Sequence, residues 1–292
     1  MECRPDIVKI ASPEAVAKTT PTKLPIRIRG KATDLYAPQG SDAFQATDKA
    51  TISYAENEVK HQHARTATGV VGVELEVSDR PMWGDKPGYV DLVPYWGIAS
   101  NITKTPGTKA TVPSNSRQVG AMVYGYSSGD LPYYLTLRPD YLWNLPDKSR
   151  LFTANVGYVP VVLYYINSAG ELGIGKGYWF QWIVNGKFIH GRYVDRGERE
   201  PQDSRDFDRF GGEVGFQLDH AGSPFPWSWK VGESYVHGRN GVYRNLAQLK
   251  STFSISLDEK KMFGLDFSYT SGRDVETAEK DQSWKISLGL KY

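Results

Sequence analysis

Apolar and polar residues alternate along much of this chain, and the pattern is clearest in its last segment. A β-strand places successive side chains on opposite faces, so residues two positions apart share a face. From position 284 onward every second residue is apolar, and the residues between them are polar or small. The segment therefore predicts a strand with one apolar face, formed by Trp284, Ile286, Leu288, Leu290 and Tyr292.

The same alternation recurs upstream, interrupted by turn residues roughly every 10 to 20 positions. In the C-terminal half, Asn185-Gly186 lies between two alternating runs and predicts a type I′ hairpin turn. The alternating runs indicate about fourteen strands. Twelve and sixteen remain open, because strand boundaries inferred from sequence are imprecise. The pattern predicts an all-β protein, and candidate strands of the N-terminal half begin near Leu24, Thr47, Ala67, Tyr89, Arg117, Leu131 and Arg150.

The final strand, with an aromatic residue at its end, resembles the closing strand of bacterial outer-membrane β-barrel proteins of the porin-like class. Ser287 stands where the usual family pattern has a glycine. The resemblance implies a closed antiparallel transmembrane β-barrel over residues 24–292, preceded by an N-terminal extension (1–23) that is mobile or associated with the lumen. It also implies that the closing strand carries the insertion signal: Trp284, Ile286, Leu288, Leu290 and Tyr292.

Composition is compatible with a barrel but does not require one. Hydrophobic residues make up 40% and the mean hydropathy is −0.47. Mean hydropathy is insensitive to membrane barrels because only alternate residues of each strand face lipid. The 18 tyrosines and 8 tryptophans fit either the aromatic girdles of a membrane barrel or the core of a soluble β-protein.

Charge and the N-terminus restrict partners and location. A net charge of +2 gives no reason to expect a nucleic-acid partner. The lone Cys3 allows no intrachain disulfide, and we expect that the residues from Met1 onward are not a secretory leader. We expect a mature chain with an added start methionine, because an outer-membrane barrel must be exported; the alternative is a cytoplasmic or virion-associated protein. The expected partners are outer-membrane lipid, lipopolysaccharide and the barrel-assembly machinery.

Connection lengths give a predicted topology. If the C-terminus is periplasmic, short connections should fall on the periplasmic side and long polar ones outside. Walking back from the C-terminus assigns the first group to the periplasm: 258–261, 185–186 and 145–149. The second group is then extracellular: 272–280, 239–247, 197–208 and 78–88.

The polar face of the strands suggests a basic wall inside the barrel. If the first and last strands pair, their inward cations should share one side of the lumen, where water and solute anions make like charges tolerable. Such a wall would favour anionic solutes; the alternative is pairing with the N-terminal extension or with lipopolysaccharide. Its predicted members are Arg27, Arg29, Lys31, Lys250, Lys285 and Lys291.

A second candidate site is the densest charged segment, near residues 195–209. It is either a solvated extracellular loop or a constriction that folds into the lumen. The constriction residues would be Arg196, Glu198, Arg199, Glu200, Arg205, Asp206 and Arg209.

Catalytic and metal motifs are weak. The five histidines are scattered, and nothing singles out His190, His237 or Asp195 as a catalytic group. We expect neither metal nor cofactor. The sequence thus predicts an outer-membrane channel for passive diffusion of small hydrophilic solutes, mildly favouring anions. The alternatives are a barrel enzyme acting on lipid or peptide, and a structural or assembly barrel or soluble β-sandwich with a filled interior.

Overall fold

The fold is taken from a computed structural model of the 292-residue chain. It describes residues 26–29, 32, 35, 50–57, 62–78, 88–104, 111–128, 131–146, 148–161, 166–167, 169–172, 177–197, 205–221, 224–240, 243–257, 263–276, 278 and 280–290. The predicted extension, residues 1–23, lies outside the described part.

Strands dominate the described residues, as alternation predicts. Their bounds are β1 Ile26–Arg29, β2 Ala50–Asn57, β3 Gln62–Val73, β4 Leu75–Ser78, β5 Gly88–Lys104, β6 Thr111–Ser127, β7 Tyr133–Asn144, β8 Arg150–Pro160, β9 Gly170–Glu171, β10 Tyr178–Asp195, β11 Asp206–His220, β12 Trp227–Asn240, β13 Asn245–Ser256, β14 Phe263–Arg273 and β15 Lys280–Leu290. Among these residues, no helix is long and apolar enough to cross a membrane.

The strand pairings form a closed ring. Each strand pairs antiparallel with the next from β5 to β8 and from β10 to β15, and β8 pairs with β10. The ring closes because β15 pairs with β2, β2 with β3, and β3 with β5. Within the described residues twelve strands form this ring. The antiparallel barrel is confirmed, with one of the strand numbers that the sequence left open.

Three short strands lie in line with strands of the ring and do not increase the number of strands around it. β4 follows β3 along the same edge of β5, and β9 lies beyond β8 along β10. β1 lies beyond β2 along β3: residues 26–29 pair with 70–73, and residues 51–57 pair with 62–68. β1 and β2 therefore share one position in the ring, separated by residues 30–49.

The two ends of the barrel are defined by the strand directions. We call the end where β2 begins and β15 finishes the terminal end, and the other the opposite end. The ring closure at β15 lies at the terminal end, where Leu288, Gly289 and Leu290 pair with residues 50–52. An even number of ring strands places the start of β2 and the finish of β15 at the same end.

Burial alternates along the strands and defines an interior and an exterior. On β11, Arg209, Gln217 and Asp219 are buried, whereas Phe210 and Val214 are exposed. The interior therefore carries buried polar groups as well as apolar clusters, and many large apolar side chains lie on the outside. A soluble sandwich would instead turn its apolar faces inward.

The predicted hairpin at Asn185-Gly186 is wrong. β10 runs without a turn through both residues. β11 pairs with them on one edge, and β8 pairs with Gly186 on the other. A reversal there would break pairings on both edges, so tertiary pairing overrides the local turn preference.

The missing turn also corrects the predicted topology. Because the chain makes one turn fewer than predicted, every connection before residue 185 lies at the end of the barrel opposite to the predicted one. The β7–β8 connection (145–149) therefore shares the opposite end with the β10–β11 connection, and the β4–β5 connection lies at the terminal end. The predicted separation of short and long connections fails for this half of the chain.

Gly186→Val tests the continuous strand. A Cβ at Gly186 would have its nearest neighbours at 3.9 and 4.0 Å, atoms of Tyr158, and the residue lies on the exterior face. We expect valine to raise the free energy of unfolding by about 0.5–1 kcal/mol, because glycine weakens strand interiors. A type I′ turn would instead make valine cost about 1–3 kcal/mol. The midpoint of urea unfolding from lipid distinguishes the two signs.

Candidate functional site: the barrel interior

A connection between the last two strands folds into the barrel at its opposite end. Val275 and Ala278 from the β14–β15 connection (274–279) are 4% and 0% exposed. They belong to one apolar cluster with side chains from five strands: Leu151, Ile189, Phe207, Val236 and Leu246. An apolar cluster of this kind holds the connection inside the barrel by removing its side chains from water.

Arg209 holds the backbone of this connection. Its Nη1 donates hydrogen bonds to the carbonyl oxygens of Val275 and Glu276, at 2.9 and 2.7 Å. The guanidinium carbon lies 4.0 Å from the ring centroid of Phe207, and the Arg209 residue is 1% exposed. A buried arginine in this position satisfies two carbonyl groups that would otherwise lie unpaired in the interior.

Arg138 holds the same connection from across the lumen. Its Nη2 lies 2.8 Å from both carboxylate oxygens of Glu276, and Lys187 Nζ lies 3.7 Å from one of them. Arg138 is on β7, six ring positions from β14, so the contact spans the barrel. Since Arg138 is 7% exposed and Glu276 26%, this pair is shielded from water far more than a surface ion pair.

A polar network continues from Arg138 along the wall. Its Nε donates to Asp140 at 2.7 Å, and Asp140 also accepts hydrogen bonds from Gln118, Thr153 and Asn155. These side chains come from β6, β7 and β8, so the network joins three neighbouring strands. A carboxylate with several donors fixes the orientation of the arginine that binds Glu276.

The terminal end of the interior holds a second inward-folded segment. Ala32 and Leu35, from the stretch between β1 and β2, are 3% and 0% exposed. They pack in an apolar cluster with Val70, Val93, Tyr95, Met122 and Tyr124. Gly72 is needed beside them, because a Cβ there would lie 2.9 Å from a methyl carbon of Leu35. The interior is thus occupied from both ends.

The exterior carries an apolar surface around the barrel. Exposed apolar side chains occur on every ring position, including the one that β1 and β2 share, where Ile26 is 50% exposed. They include Val71, Trp96, Val119, Leu137, Tyr158, Trp182, Phe188, Phe210, Val214, Trp229, Tyr235, Leu249, Phe267, Trp284, Ile286 and Leu288. A continuous apolar surface of this extent is typical of a face covered by lipid.

Aromatic rings gather near both ends of this exterior. At the terminal end, rings on β10 to β13 contact one another with centroids 4.2 to 6.3 Å apart. At the opposite end, the ring centroids of Tyr141 and Trp143 lie 4.5 Å apart, and those of Phe210 and His237 lie 5.3 Å apart. Aromatic side chains are favoured at the two water–membrane interfaces.

The predicted basic wall depends on the first strand pairing with the last; among the described residues this pairing does not occur, and the wall itself stays a prediction. β1 pairs with β3, whereas β15 pairs with β2. Arg27 forms an ion pair with Glu74 and donates to the carbonyl of Leu35, and Arg29 is buried. Lys250 lies on β13; the side chain of Lys285, and the whole of Lys31 and Lys291, lie outside the described part.

The predicted constriction segment is divided between the two sides of the wall. Arg196, Arg205 and Asp206 are exposed, whereas Arg209 is buried in the interior as part of β11. Glu198, Arg199 and Glu200 lie outside the described residues. Val275 and Ala278 enter the lumen here, and the sequence assigned both to an extracellular loop, 272–280. The signal in the sequence was these two apolar residues within a polar connection.

The remaining candidates lie on the exterior or at the rim. His190 Nδ1 lies 2.8 Å from Asp208, His237 Nδ1 lies 2.9 Å from Asn245, and Asp195 is exposed. In the described residues, no group of three potential metal ligands occurs. Of the predicted insertion signal, Trp284, Ile286 and Leu288 are exposed on the outer face of β15; Tyr292 and the Leu290 side chain are outside the described part.

Comparison with known proteins gives no family. No family model matches the chain, and no curated protein matches it. Among solved structures, the transport unit of the autotransporter AIDA-I from Escherichia coli is similar, with 10% identity over 94% of this chain and 91% of that one, and a TM-score of 0.41. The beta domain of the Bordetella autotransporter Brka has 12% identity over 84% and 96%, and a TM-score of 0.40.

The prediction of a channel for passive diffusion of small solutes is wrong. Buried side chains from two connections, Ala32 with Leu35 and Val275 with Ala278, occupy interior positions near the two ends of the barrel. The structural or assembly barrel with a filled interior, kept as an alternative in the sequence analysis, fits better.

Proposed function

We propose that this protein is an outer-membrane β-barrel with a closed interior, serving a structural or assembly role in the membrane. The observation that carries the proposal is the inward-folded β14–β15 connection, held by Arg209 on one side and Arg138 on the other. An interior filled by side chains makes a rigid membrane-embedded body.

The exterior supports the membrane location. The apolar side chains on the outer face would be costly in water and favourable against lipid. Both similar structures belong to autotransporters. Within this proposal we therefore favour an assembly role related to secretion.

Two measurements on the refolded wild-type chain test this proposal. A closed membrane barrel resists SDS until heated, so electrophoresis should show different mobility before and after boiling. In planar lipid bilayers, the same preparation should give no long-lived conductance steps, because the interior is occupied. A chain that stays soluble without detergent would contradict the membrane location. Long-lived steps in wild type would contradict the closed interior.

A further inference from the structure

Two exposed arginines on neighbouring parts of the outer wall suggest a binding site for a lipid. We propose that Arg117 and Arg150 bind the phosphate headgroup of a membrane lipid, whose acyl chains lie along the aromatic side chains next to them. This inference rests on the proposed function, since it requires that the exterior faces a membrane. It adds a class of ligand and a position for it, on the outer face of β6, β7 and β8.

The two arginines lie in one row of paired residues near the opposite end of the barrel. Arg117 on β6 is the Cα partner of Trp143 on β7, and Trp143 is the Cα partner of Arg150 on β8. Paired residues lie on the same face of a sheet, so all three are on the exterior, and both arginines are exposed. Neighbouring strands are about 4.8 Å apart, which separates the two arginine backbones by about 10 Å. Side chains as long as arginine can therefore converge on one phosphate group beside Trp143.

An apolar surface begins in the next row of the same three strands. Val119, Tyr141 and Phe152 are paired across β6, β7 and β8, two residues from the first row on each strand. The ring centroids of Tyr141 and Trp143 lie 4.5 Å apart, so the aromatic surface is continuous between the two rows. From this second row to the terminal end, the described outer-face positions of these strands carry no charged side chain. The arginines therefore stand at the boundary of a wide apolar surface, where the headgroup of a lipid lies when its chains cover that surface.

Neither arginine side chain forms an ion pair or a hydrogen bond within the part of the chain that the structure describes. Asp195, the Cα partner of Arg150 on β10, accepts a hydrogen bond from the amide of Gly197 at 3.0 Å. The carboxylate of Asp206, further along the wall, lies 3.5 Å from Nε of Arg192. A guanidinium group binds phosphate oxygens through parallel N–H donors, and cations at a membrane surface attract anionic headgroups. The two arginines therefore favour a phosphorylated lipid over an uncharged one.

The test measures lipid binding to the refolded 292-residue chain in detergent, by native mass spectrometry. The probe is dioleoyl phosphatidylglycerol, and the comparison lipid is dioleoylglycerol, which has the same chains and no phosphate. We expect wild type to bind the phosphatidylglycerol at least about tenfold more tightly, because hydrogen bonds between charged groups are stronger than neutral ones. The variant Arg117→Gln/Arg150→Gln should lose this preference.

Arg196→Gln/Arg205→Gln is the matched control. Both residues are exposed at the two ends of the β10–β11 connection, so this variant removes the same charge near the same end of the barrel. It should keep the wild-type preference, and equal losses in the two glutamine variants would overturn the site. Arg117→Lys/Arg150→Lys keeps the charge but loses the parallel donors, so its affinity should lie between those of wild type and Arg117→Gln/Arg150→Gln.

Inorganic phosphate distinguishes a lipid site from a site for free phosphate. We expect no displacement of bound phosphatidylglycerol by an excess of about tenfold, because the acyl chains add apolar contact with the aromatic surface. Displacement by phosphate at the same concentration as the lipid would overturn the assignment to a lipid. Equal binding of dioleoylglycerol and phosphatidylglycerol to wild type would overturn the role of the arginines.

The lipid site and the membrane barrel can fail separately. Binding is compared only among preparations that retain the heat-dependent mobility shift, so misfolded variants are excluded. Loss of that shift in wild type would contradict the proposed membrane barrel. A wild type that has the shift, but no preference for the phosphorylated lipid, would contradict the lipid site alone.

Discussion

Ile286→Lys should prevent most of the protein from assembling in a membrane. Ile286 lies near the middle of β15 on its outer face and is 63% exposed, so lysine would place a charge where lipid is expected. A cationic side chain at the bilayer midplane costs about 2–4 kcal/mol in a β-barrel. The measurement is the fraction of refolded protein with heat-dependent mobility after mixing with lipid vesicles.

Gln282→Lys is the matched control for this prediction. Gln282 is exposed on the same face of β15. It lies four residues nearer the start of the strand, which is at the opposite end of the barrel. A charge close to the membrane surface costs about 0–1 kcal/mol, so this variant should assemble nearly as wild type does. Equal assembly of both variants in vesicles would contradict the lipid-facing assignment of β15.

Gly191→Val, an interior substitution on β10, should cause a large loss of stability. A Cβ at Gly191 would overlap three ring atoms of Phe207, inside the apolar cluster at the opposite end, so the ring would have to move. Phe207 also supports the Arg209 guanidinium, so moving the ring disturbs the group that holds Val275 and Glu276. We expect a loss of about 3 kcal/mol from overpacking.

Gly186→Val on the same strand provides the comparison. Both substitutions add the same side chain to β10, but Gly186 lies on the exterior, where an added Cβ makes only ordinary van der Waals contact with Tyr158. Urea unfolding of the lipid-embedded protein should show opposite signs for the two variants. A loss of stability at Gly191 no greater than at Gly186 would contradict the interior packing around Phe207.

Several features could be predicted from local sequence, because they depend on a period of two residues. The outer positions of β15, including Trp284, Ile286 and Leu288, follow from alternation alone. Alternation also predicts the antiparallel barrel. The strands must pair so that their backbone N–H and C=O groups form hydrogen bonds, and a closed sheet leaves no strand edge unpaired.

The errors share one physical cause, which is pairing between distant segments. Asn185-Gly186 carries a strong local turn preference, yet pairing on both edges keeps it extended. The first described strand was expected beside the last, but β1 lies along β3 and β2 takes the place beside β15. Because a turn was predicted at residues 185–186 where none exists, every earlier connection was assigned to the wrong end of the barrel.

The fold class and the outer face of the strands follow from the order of neighbouring residues alone. The strands that close the ring, and the groups that occupy the lumen, depend instead on contacts between distant segments. Arg138 and Glu276 are 138 positions apart, and Arg209 reaches the carbonyls of residues 66 and 67 positions away. No local pattern encodes such contacts, since they exist only after the sheet has curved and brought opposite walls together.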